Sequence, residues 1–266
     1  MNVKNGIVVI IGGASGIGHS CAEQFLLRDV KFVAIFDLPT SNGRDVAEKL
    51  KNQFDENRVA FFPCNIMDEE QVQSSFDEVT KSFGNFDILI NSAGFLTNGE
   101  KWERMIHVNF TGLVRTTLKA IDIMGKHKGG KGGTIVNISS MAGLAPVTHC
   151  PIYAATKHAV VGFTNSLALS YNETGIRMML MCPGRTVSPL AENLDNFDNP
   201  HLSFINVDNV LKYLETTGDQ PPECVAKAMV QLVEKGENGA ICFVHNSEPP
   251  YLVDIPTLDK LEKHSL

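Results

Sequence analysis

Two side chains near the middle of the chain could transfer a proton. Tyr153 and Lys157 lie four residues apart in the segment 151–157, and in a helix they would project from the same face, one turn apart. An ammonium beside a phenol favours the phenolate and lowers the phenol's pKa. Tyrosine ionises near pH ~10, so proton exchange near pH ~7 needs ~4 kcal/mol of preferential phenolate stabilisation. The pair therefore predicts a general acid/base, with an ordinary exposed helical pair as the alternative.

A glycine-rich turn near the N-terminus could bind a phosphate group. The first apolar run leads directly into Gly12, and Gly16 and Gly18 follow where a helix is predicted to begin. A helix N-terminus favours an anion, and glycines let the backbone approach a pyrophosphate closely. The spacing differs from the usual Gly-x-Gly-x-x-Gly pattern, so a purely structural turn is the alternative. Asp37 ends the second predicted strand, where a carboxylate can accept hydrogen bonds from an adenosine ribose, and this favours dinucleotide binding.

Short apolar runs alternate with longer helical stretches along the chain. Nearly continuous β-branched runs are typical of buried parallel strands, and the helical stretches are long enough for βαβ crossovers. The pattern predicts one Rossmann-like, doubly wound α/β domain over residues 1–266, with helices on both faces of a mostly parallel sheet. A polar and aromatic segment at 188–222 is expected to form a substrate lid. The seven predicted strands are residues 7–11, 32–36, 59–62, 87–90, 134–138, 176–181 and 240–244.

The composition excludes several classes of protein. The chain has 266 residues, 43% of them hydrophobic, and a net charge of −7 from scattered acidic residues, so we expect neither a nucleic-acid partner nor an anionic membrane. The first apolar run is too short for a signal peptide or a membrane span, and six cysteines without a C-x-x-C pair suit a reducing compartment. We expect a cytoplasmic protein. The histidines lack ligand spacing, so no metal site is predicted.

Several motifs follow one another in a recognisable order. Asn91-Ser92-Ala93-Gly94 follows the fourth predicted strand, Asn109 lies in the next predicted helix, and Ser140 precedes the Tyr153 and Lys157 pair. In these motifs and in its glycine turn the chain resembles the short-chain dehydrogenase/reductase family, from the first strand to about residue 190. The surroundings of Asn109, Ser140 and Lys157 look most like the insect alcohol dehydrogenase and 15-hydroxyprostaglandin dehydrogenase branch.

The resemblance implies a catalytic set of Asn109, Ser140, Tyr153 and Lys157. Tyr153 would accept the hydroxyl proton of an alcohol as hydride leaves its carbon. Lys157 would hold the phenolate charge and reach the nicotinamide ribose, and Ser140 would donate to the substrate oxygen. Asn109 would help to hold a water that links the lysine to solvent, although alone it would be read as an exposed helical asparagine.

The resemblance also implies a nicotinamide cofactor. Asp37 would repel the extra phosphate of NADP, so NAD is predicted. Asn65 stands where the family commonly has Asp, Thr186 where it has Val or Ile, and Ser188 where it has Thr. Asn65 and Ser188 keep the hydrogen-bonding character of the residues they replace. The predicted cofactor-binding residues are Gly12, Ser15, Gly16, Ile17, Gly18, Asp37, Asn65, Ile66, Asn91, Ala93, Gly94, Tyr153, Lys157, Pro183, Gly184, Thr186 and Ser188.

The segment 141–152, just before the catalytic tyrosine, is expected to form an apolar wall of the substrate pocket. Its Met, Ala, Leu, Val, Cys and Ile residues offer little to pair with a buried carboxylate, which would be costly. We therefore predict an apolar alcohol, with a secondary alcohol and its ketone favoured over a primary alcohol and its aldehyde. The predicted substrate-binding residues are Ser140, Ala142, Cys150, Tyr153 and Arg185.

Two other functions remain open from the sequence. A 15-hydroxyprostaglandin-type dehydrogenase or carbonyl reductase would share the same catalytic set, but Cys150 stands where prostaglandin dehydrogenases carry a glutamine. A catalytically silent binding or storage protein could keep the same fold, since fold alone does not determine function. The intact Ser140, Tyr153 and Lys157 favour an enzyme. A homodimer or homotetramer is implied by the resemblance alone.

Overall fold

One eight-stranded sheet runs through the part of the chain that the computed structural model describes, which is residues 2–97, 99–147, 149–190, 202–206, 208–210, 212, 217–256 and 260. The strand order is β3-β2-β1-β4-β5-β6-β7-β8. The strands are β1 (Ile7–Ile11), β2 (Phe32–Asp37), β3 (Val59–Pro63), β4 (Ile88–Asn91), β5 (Gly133–Ile138), β6 (Ile176–Pro183), β7 (Ile241–Val244) and β8 (Tyr251–Leu252).

The order of the strands creates a crevice at the edge of the sheet. Strands β1 to β7 are parallel, and the chain moves outward from β1 to β3 before it returns to β4 on the other side of β1. Ligands of open α/β sheets bind at such a reversal, beyond the carboxyl ends of the strands. Gly12 directly follows β1, and Ser92 directly follows β4. The topology therefore places the glycine turn at this crevice.

The prediction of a doubly wound, mostly parallel sheet is confirmed, with one difference in the number of strands. All seven predicted strands are present within a few residues of their predicted bounds. The eighth, β8, pairs antiparallel with β7 through Leu252 opposite Cys242 and Tyr251 opposite Phe243. It was not predicted because it is two residues long and both are exposed. Such a strand carries no periodic apolar signal.

Helices cover both faces of the sheet. Val8 and Ile10 of β1 join one apolar core, whereas Ile7, Val9 and Ile11 join another on the opposite face. The helices are α1 (Gly16–Leu26), α2 (Gly43–Gln53), α3 (Glu69–Phe83), α4 (Trp102–Ile106), α5 (Leu113–Met124), α6 (Pro151–Ala168), α7 (Tyr171–Thr174) and α8 (Pro222–Lys235), with a π-helical turn at His107–Gly112 and 3-10 turns at Lys126–Lys128 and Met141–Gly143.

Helix α6 is the element that carries the predicted acid/base. It begins with Pro151, a favourable residue in the first turn because its missing N–H would have no helical partner there. Its buried face includes Tyr153, Lys157 and Thr164, two turns further on. Thr164 Oγ1 accepts a hydrogen bond from Asn137 Nδ2 of β5 at 2.9 Å. This contact sets the position of α6 along the strand that ends at the site.

The sequence also predicted a substrate lid and no membrane span. The predicted lid at 188–222 falls largely outside the described residues. Among the helices that the structure describes, none combines the length and the apolar character that crossing a bilayer requires.

Candidate active site

Tyr153 and Lys157 are both buried, as an acid/base pair in a water-excluded site would be. Tyr153 is 7% exposed and Lys157 is 4% exposed. Lys157 Nζ donates to the carbonyl oxygen of Ile138 at 3.0 Å and lies 5.5 Å from the centroid of the Tyr153 ring. The alternative of an ordinary exposed helical pair is therefore wrong.

The pKa values of this pair shift in directions that the sequence did not predict. Burial raises the pKa of Tyr153, the nearby Cys150 thiol raises it further, and a hydrogen bond with Ser140 acts in the opposite direction. Burial lowers the pKa of Lys157 from 10.5 to about 8. The expected lowering of the phenol's pKa by the lysine is not found, because the loss of water at this buried position outweighs the opposing effect of Ser140. In the protein alone, Tyr153 therefore holds its proton at neutral pH.

Two adjacent serines at the end of β5 have different contacts. Ser139 Oγ donates to the carbonyl oxygen of Lys157 at 2.9 Å and so ties α6 to the strand. Ser140 lies beside Tyr153, where it acts to lower the pKa of the phenol, and its Oγ accepts from the Ala142 N–H at 3.2 Å. Ser140 is thus the serine that can hold a substrate oxygen beside the phenol.

Asn109 lies fully buried in the π-helical turn, so its interpretation as an exposed helical asparagine is wrong. Its Oδ1 accepts from the Phe95 N–H at 2.7 Å, and its Nδ2 donates to the Phe95 carbonyl at 2.8 Å. Nδ2 also reaches Thr156 Oγ1 of α6 at 3.3 Å. The side chain therefore joins the loop after β4 to α6. Its predicted part in holding a water stays a prediction.

A cleft of about 410 Å³ lies at the crevice between β1 and β4. Asp37 lines this cleft, and its carboxylate accepts from the N–H groups of Ala14 at 2.9 Å and Leu38 at 2.8 Å. These bonds fix the carboxylate at the end of β2. The predicted cofactor-binding residues along this cleft are Gly12, Ser15, Gly16, Ile17, Asp37, Asn65, Ile66, Ala93, Gly94 and Ser188.

The glycine turn fits the backbone cradle that a dinucleotide needs. Gly12 has φ +78°, and a Cβ there would lie 2.6 Å from the Ala93 backbone. A Cβ on Gly18 would lie 2.1 Å from the carbonyl oxygen of Gly12. Because neither position has room for a side chain, the turn packs closely on the loop after β4 and on α1. Gly12, Ser15 and Gly16 line the cleft, where a pyrophosphate could approach the backbone N–H groups at the start of α1.

Two predicted cofactor contacts lie elsewhere. Gly18 and Asn91 are not among the described residues that line either cavity of the site. Gly18 packs on Gly12, as its close approach shows. Asn91 is buried in a polar network, where Nδ2 donates to Thr117 Oγ1 at 2.9 Å and to Asn137 Oδ1 at 2.8 Å. A buried amide requires hydrogen-bond partners in the interior, and Asn91 has them on α5 and β5. Gly18 and Asn91 therefore have structural contacts beneath the cleft.

A second cavity of about 140 Å³ adjoins this cleft, since Ile17, Gly94, Ser188 and Leu190 line both. The predicted substrate-binding residues Ser140, Ala142, Cys150, Tyr153 and Arg185 all line the second cavity. The remaining predicted cofactor residues there are Lys157, Pro183, Gly184 and Thr186. The fold thus brings Tyr153, Lys157 and Ser140 to a cavity that is continuous with the cleft beside the glycine turn.

The second cavity is also lined by residues that were not predicted as substrate contacts, among them Leu96, His149 and Thr217. His149 is 7% exposed, and burial, followed by the charge of Arg185, lowers its pKa. In the sequence, the histidines were weighed only as metal ligands. The position of His149 next to Cys150, within the predicted pocket wall at 141–152, could have indicated that it lines the substrate cavity. Among the described residues, no group of three His, Cys, Asp or Glu could hold a metal ion.

Arg185 is partly compensated by a carboxylate. Its Nε lies 2.8 Å from Asp219 Oδ1. The segments that carry the two residues are paired, because Gln220 N–H donates to the Arg185 carbonyl at 3.1 Å and Val187 N–H donates to the Gln220 carbonyl at 2.9 Å. Gln220 is itself fully buried. The arginine therefore lines the cavity as one half of a fixed ion pair.

The sequence is similar to known proteins over nearly its full length. The family described as short chain dehydrogenase matches residues 6–199. A 15-hydroxyprostaglandin dehydrogenase [NAD(+)] of Homo sapiens is 34% identical over 260 residues, which are 97% of each chain. The same enzyme of Rattus norvegicus is 32% identical and covers 99% of each chain. Alcohol dehydrogenase 2 of Ceratitis cosyra is 31% identical and covers 91% of this chain and 92% of its own.

Solved structures share the fold. L-sorbose reductase from Gluconobacter frateurii, complexed with NADPH and L-sorbose, superposes with a TM-score of 0.76 at 25% identity and covers 92% of this chain and 97% of its own. Levodione reductase superposes with a TM-score of 0.75 over 91% of this chain and 96% of its own. At 21% identity, the second likeness concerns the fold alone.

Proposed function

The chain belongs to the short-chain dehydrogenase family of oxidoreductases, and from this we propose that it interconverts an apolar secondary alcohol and its ketone with NAD. One observation carries the proposal: Ser140, Tyr153 and Lys157 meet, largely buried, in a cavity that adjoins the dinucleotide cleft. A silent binding or storage protein would not need to keep these three groups together. The arrangement of these three side chains therefore favours an enzyme over a binding or storage protein.

The choice of NAD rests on the charge at the end of β2. Asp37 lines the cleft, and its carboxylate would face the additional phosphate of NADP with like charge. Arg44, which could have compensated, lies over the Phe61 ring with its guanidinium carbon 5.8 Å from the centroid. The names of the human and rat relatives include NAD(+), whereas L-sorbose reductase is complexed with NADPH. The carboxylate favours NAD here.

The protein's own groups supply the proton chemistry. Tyr153 would give its proton to a carbonyl oxygen in one direction and take the proton of an alcohol in the other, while Ser140 holds the same oxygen. Lys157, whose pKa is lowered to about 8, lies behind the phenol and is held on the Ile138 carbonyl. NAD, when bound, would accept or deliver the hydride, and its oxidised ring would add a positive charge near Tyr153.

The lining of the second cavity supports a largely uncharged substrate. Leu96, Ala142, Val147 and Cys150 supply hydrocarbon or a thiol whose pKa burial raises to about 12. Arg185 is paired with an aspartate, so a substrate carboxylate placed there would meet opposing charges. A carboxylate beside the reacting carbon is therefore disfavoured.

A second candidate is a 15-hydroxyprostaglandin-type dehydrogenase. The observation that favours it is similarity of 32–34% over 97–99% of the human and rat enzymes of that name. Cys150 in place of the expected glutamine weighs against it, since a thiol is a weak hydrogen-bond partner. Comparing kcat/KM for a hydroxy fatty acid and its methyl ester separates the candidates. A strong preference for the acid would favour the prostaglandin type.

The single-domain organisation of residues 1–266, the lid at 188–222, the homodimer or homotetramer and the cytoplasmic location stay predictions. Gel filtration with light scattering would test the oligomeric state.

The proposed function is tested with Tyr153→Phe, which removes the phenol oxygen and keeps the packing of the ring. Reduction of NAD by a panel of secondary alcohols, followed by absorbance, should fall ~10²–10⁴-fold in kcat, the usual contribution of a general acid/base. The affinity for NAD, from fluorescence titration, should stay the same. Tyr171→Phe is the control, because Tyr171 is exposed on α7 and should keep full turnover. Substantial activity in Tyr153→Phe would remove this residue from the mechanism.

A further inference from the structure

The second cavity is not uniformly apolar. Several of its lining residues are polar, and three of these, His149, Arg185 and Thr217, have no part in the proton chemistry assigned to Ser140 and Tyr153. His149 directly precedes Cys150, the residue that precedes the first turn of α6. The start of the catalytic helix thus presents an imidazole to the same cavity as the acid/base.

His149 is a neutral hydrogen-bonding group at this position. It is more than nine-tenths buried, and a buried imidazole is costly to charge. Burial and the positive charge of Arg185 both lower its pKa. A neutral imidazole has one N–H donor and one nitrogen acceptor, so it suits a hydroxyl or a carbonyl better than a carboxylate.

The neighbouring cation does not change this preference. Arg185 Nε lies 2.8 Å from the Asp219 carboxylate, and the two residues are held by the pairing of their segments through Gln220. Gln220 Nε2 in turn donates to Thr186 Oγ1 at 3.2 Å and to the Val244 carbonyl at 3.0 Å. This side of the cavity is therefore preorganised, and the charge of Arg185 is partly compensated by Asp219. A ligand oxygen placed against these polar groups can hydrogen-bond with them, whereas a hydrocarbon cannot, which favours a ligand with an oxygen atom there.

We propose that His149 is a specificity determinant and that the cavity takes substrates with a second, uncharged oxygen, a diol or a hydroxyketone in which one oxygen reacts at Tyr153 and the other hydrogen-bonds with the His149 imidazole. The inference rests on the proposed function, because it names the substrate class of the same site. His149 takes no part in the transfer of hydride or proton. It acts by binding the distal oxygen and so orienting the reacting carbon.

The test uses a matched series of alcohols with the full-length protein and NAD. A simple secondary alkanol is compared with diols of the same chain length that carry the second hydroxyl at successive carbons. We expect at least one diol to exceed the alkanol by ~3–10-fold in kcat/KM, which is the usual effect of one neutral hydrogen bond. This ratio should fall to about one in His149→Phe and be largely kept in His149→Gln, which retains a donor and an acceptor.

Three outcomes are distinguished. Loss of the diol preference in His149→Phe with retention in His149→Gln supports the inference, provided that both variants keep the wild-type urea midpoint and NAD affinity. Equal turnover of alkanol and diols by the wild type, or a preference that survives in His149→Phe, overturns the inference and leaves the proposed function in place. The comparison of the alkanol with the diols uses the wild-type protein, so it does not depend on whether either variant folds. No turnover of any alcohol or ketone in either direction overturns the proposed function and this inference with it.

Discussion

Replacing Lys157 by methionine should change how the stability of the cofactor-free protein depends on pH. Lys157 is 4% exposed, and its pKa falls from 10.5 to about 8 on folding because burial penalises the ammonium. Methionine has a similar length and no charge. The variant therefore removes one buried titrating group and keeps most of the side-chain volume.

The sign and size of the effect follow from the two pKa values. Between about 8 and 10.5 the unfolded chain binds more protons at this lysine than the folded chain does, so the free energy of unfolding rises with pH. At ~1.36 kcal/mol per pKa unit, this lysine contributes a rise of ~3 kcal/mol across that window. The penalty is fully present below about pH 8 and absent above pH 10.5. The variant should lack this rise.

The measurement is the difference in unfolding free energy between wild type and Lys157→Met. Urea unfolding is followed by circular dichroism at several pH values from ~7 to ~10.5. Five buried cysteines, whose pKa values burial raises to about 11 or 12, lower stability above pH ~9 in both proteins. Four of them cancel in the difference, whereas Cys182 adds a contribution of its own, because the charge of Lys157 lowers the pKa of that thiol. The lost hydrogen bond to Ile138 costs the variant ~1–3 kcal/mol. That cost is independent of pH. It therefore shifts the difference in unfolding free energy by the same amount at every pH and does not change how this difference depends on pH.

The control is Lys81→Met, because Lys81 is an exposed residue in the last turn of α3. Its pH dependence of stability should match the wild type. A difference between wild type and Lys157→Met that varies by less than ~1 kcal/mol across the window would refute the reasoning, because it would mean that the folded protein does not disfavour the ammonium.

Three further predictions concern the cofactor cleft. Asp37→Ser should raise the affinity for NADP relative to NAD by ~10-fold or more, because a like charge is removed; an unchanged ratio in fluorescence titration would contradict this. Gly12→Ala places a methyl group 2.6 Å from the Ala93 backbone at a φ of +78° and should lower the free energy of unfolding by at least ~2 kcal/mol in urea, whereas Gly162→Ala, with open space, should not. Asn109→Leu leaves the N–H and carbonyl of the loop after β4 unpaired and should lower the unfolding free energy by ~2–4 kcal/mol and weaken NAD binding; wild-type values of both would contradict it.

Much of the fold was predictable because its signals are local. The continuous apolar runs of β1 and β2 predicted buried parallel strands, since parallel sheets are covered on both faces. The separation of Tyr153 and Lys157 determined that both lie on one face of α6, and the glycines after β1 determined a backbone with no room for side chains. Fifteen of the seventeen predicted cofactor residues line one of the two cavities.

Only the tertiary structure decided which of these groups lose contact with water, and with what partners. Burial is a sum over elements distant in sequence, so the sequence could not show that it raises the pKa of Tyr153 and lowers that of Lys157. For the same reason the interior network of Asn91, the bonds of Asn109 to the loop after β4 and the place of His149 in the substrate cavity emerged only from the packing of α5 and α6 against the sheet. An isolated polar residue has no periodicity to indicate where its side chain points, because its partners come from other elements of the fold.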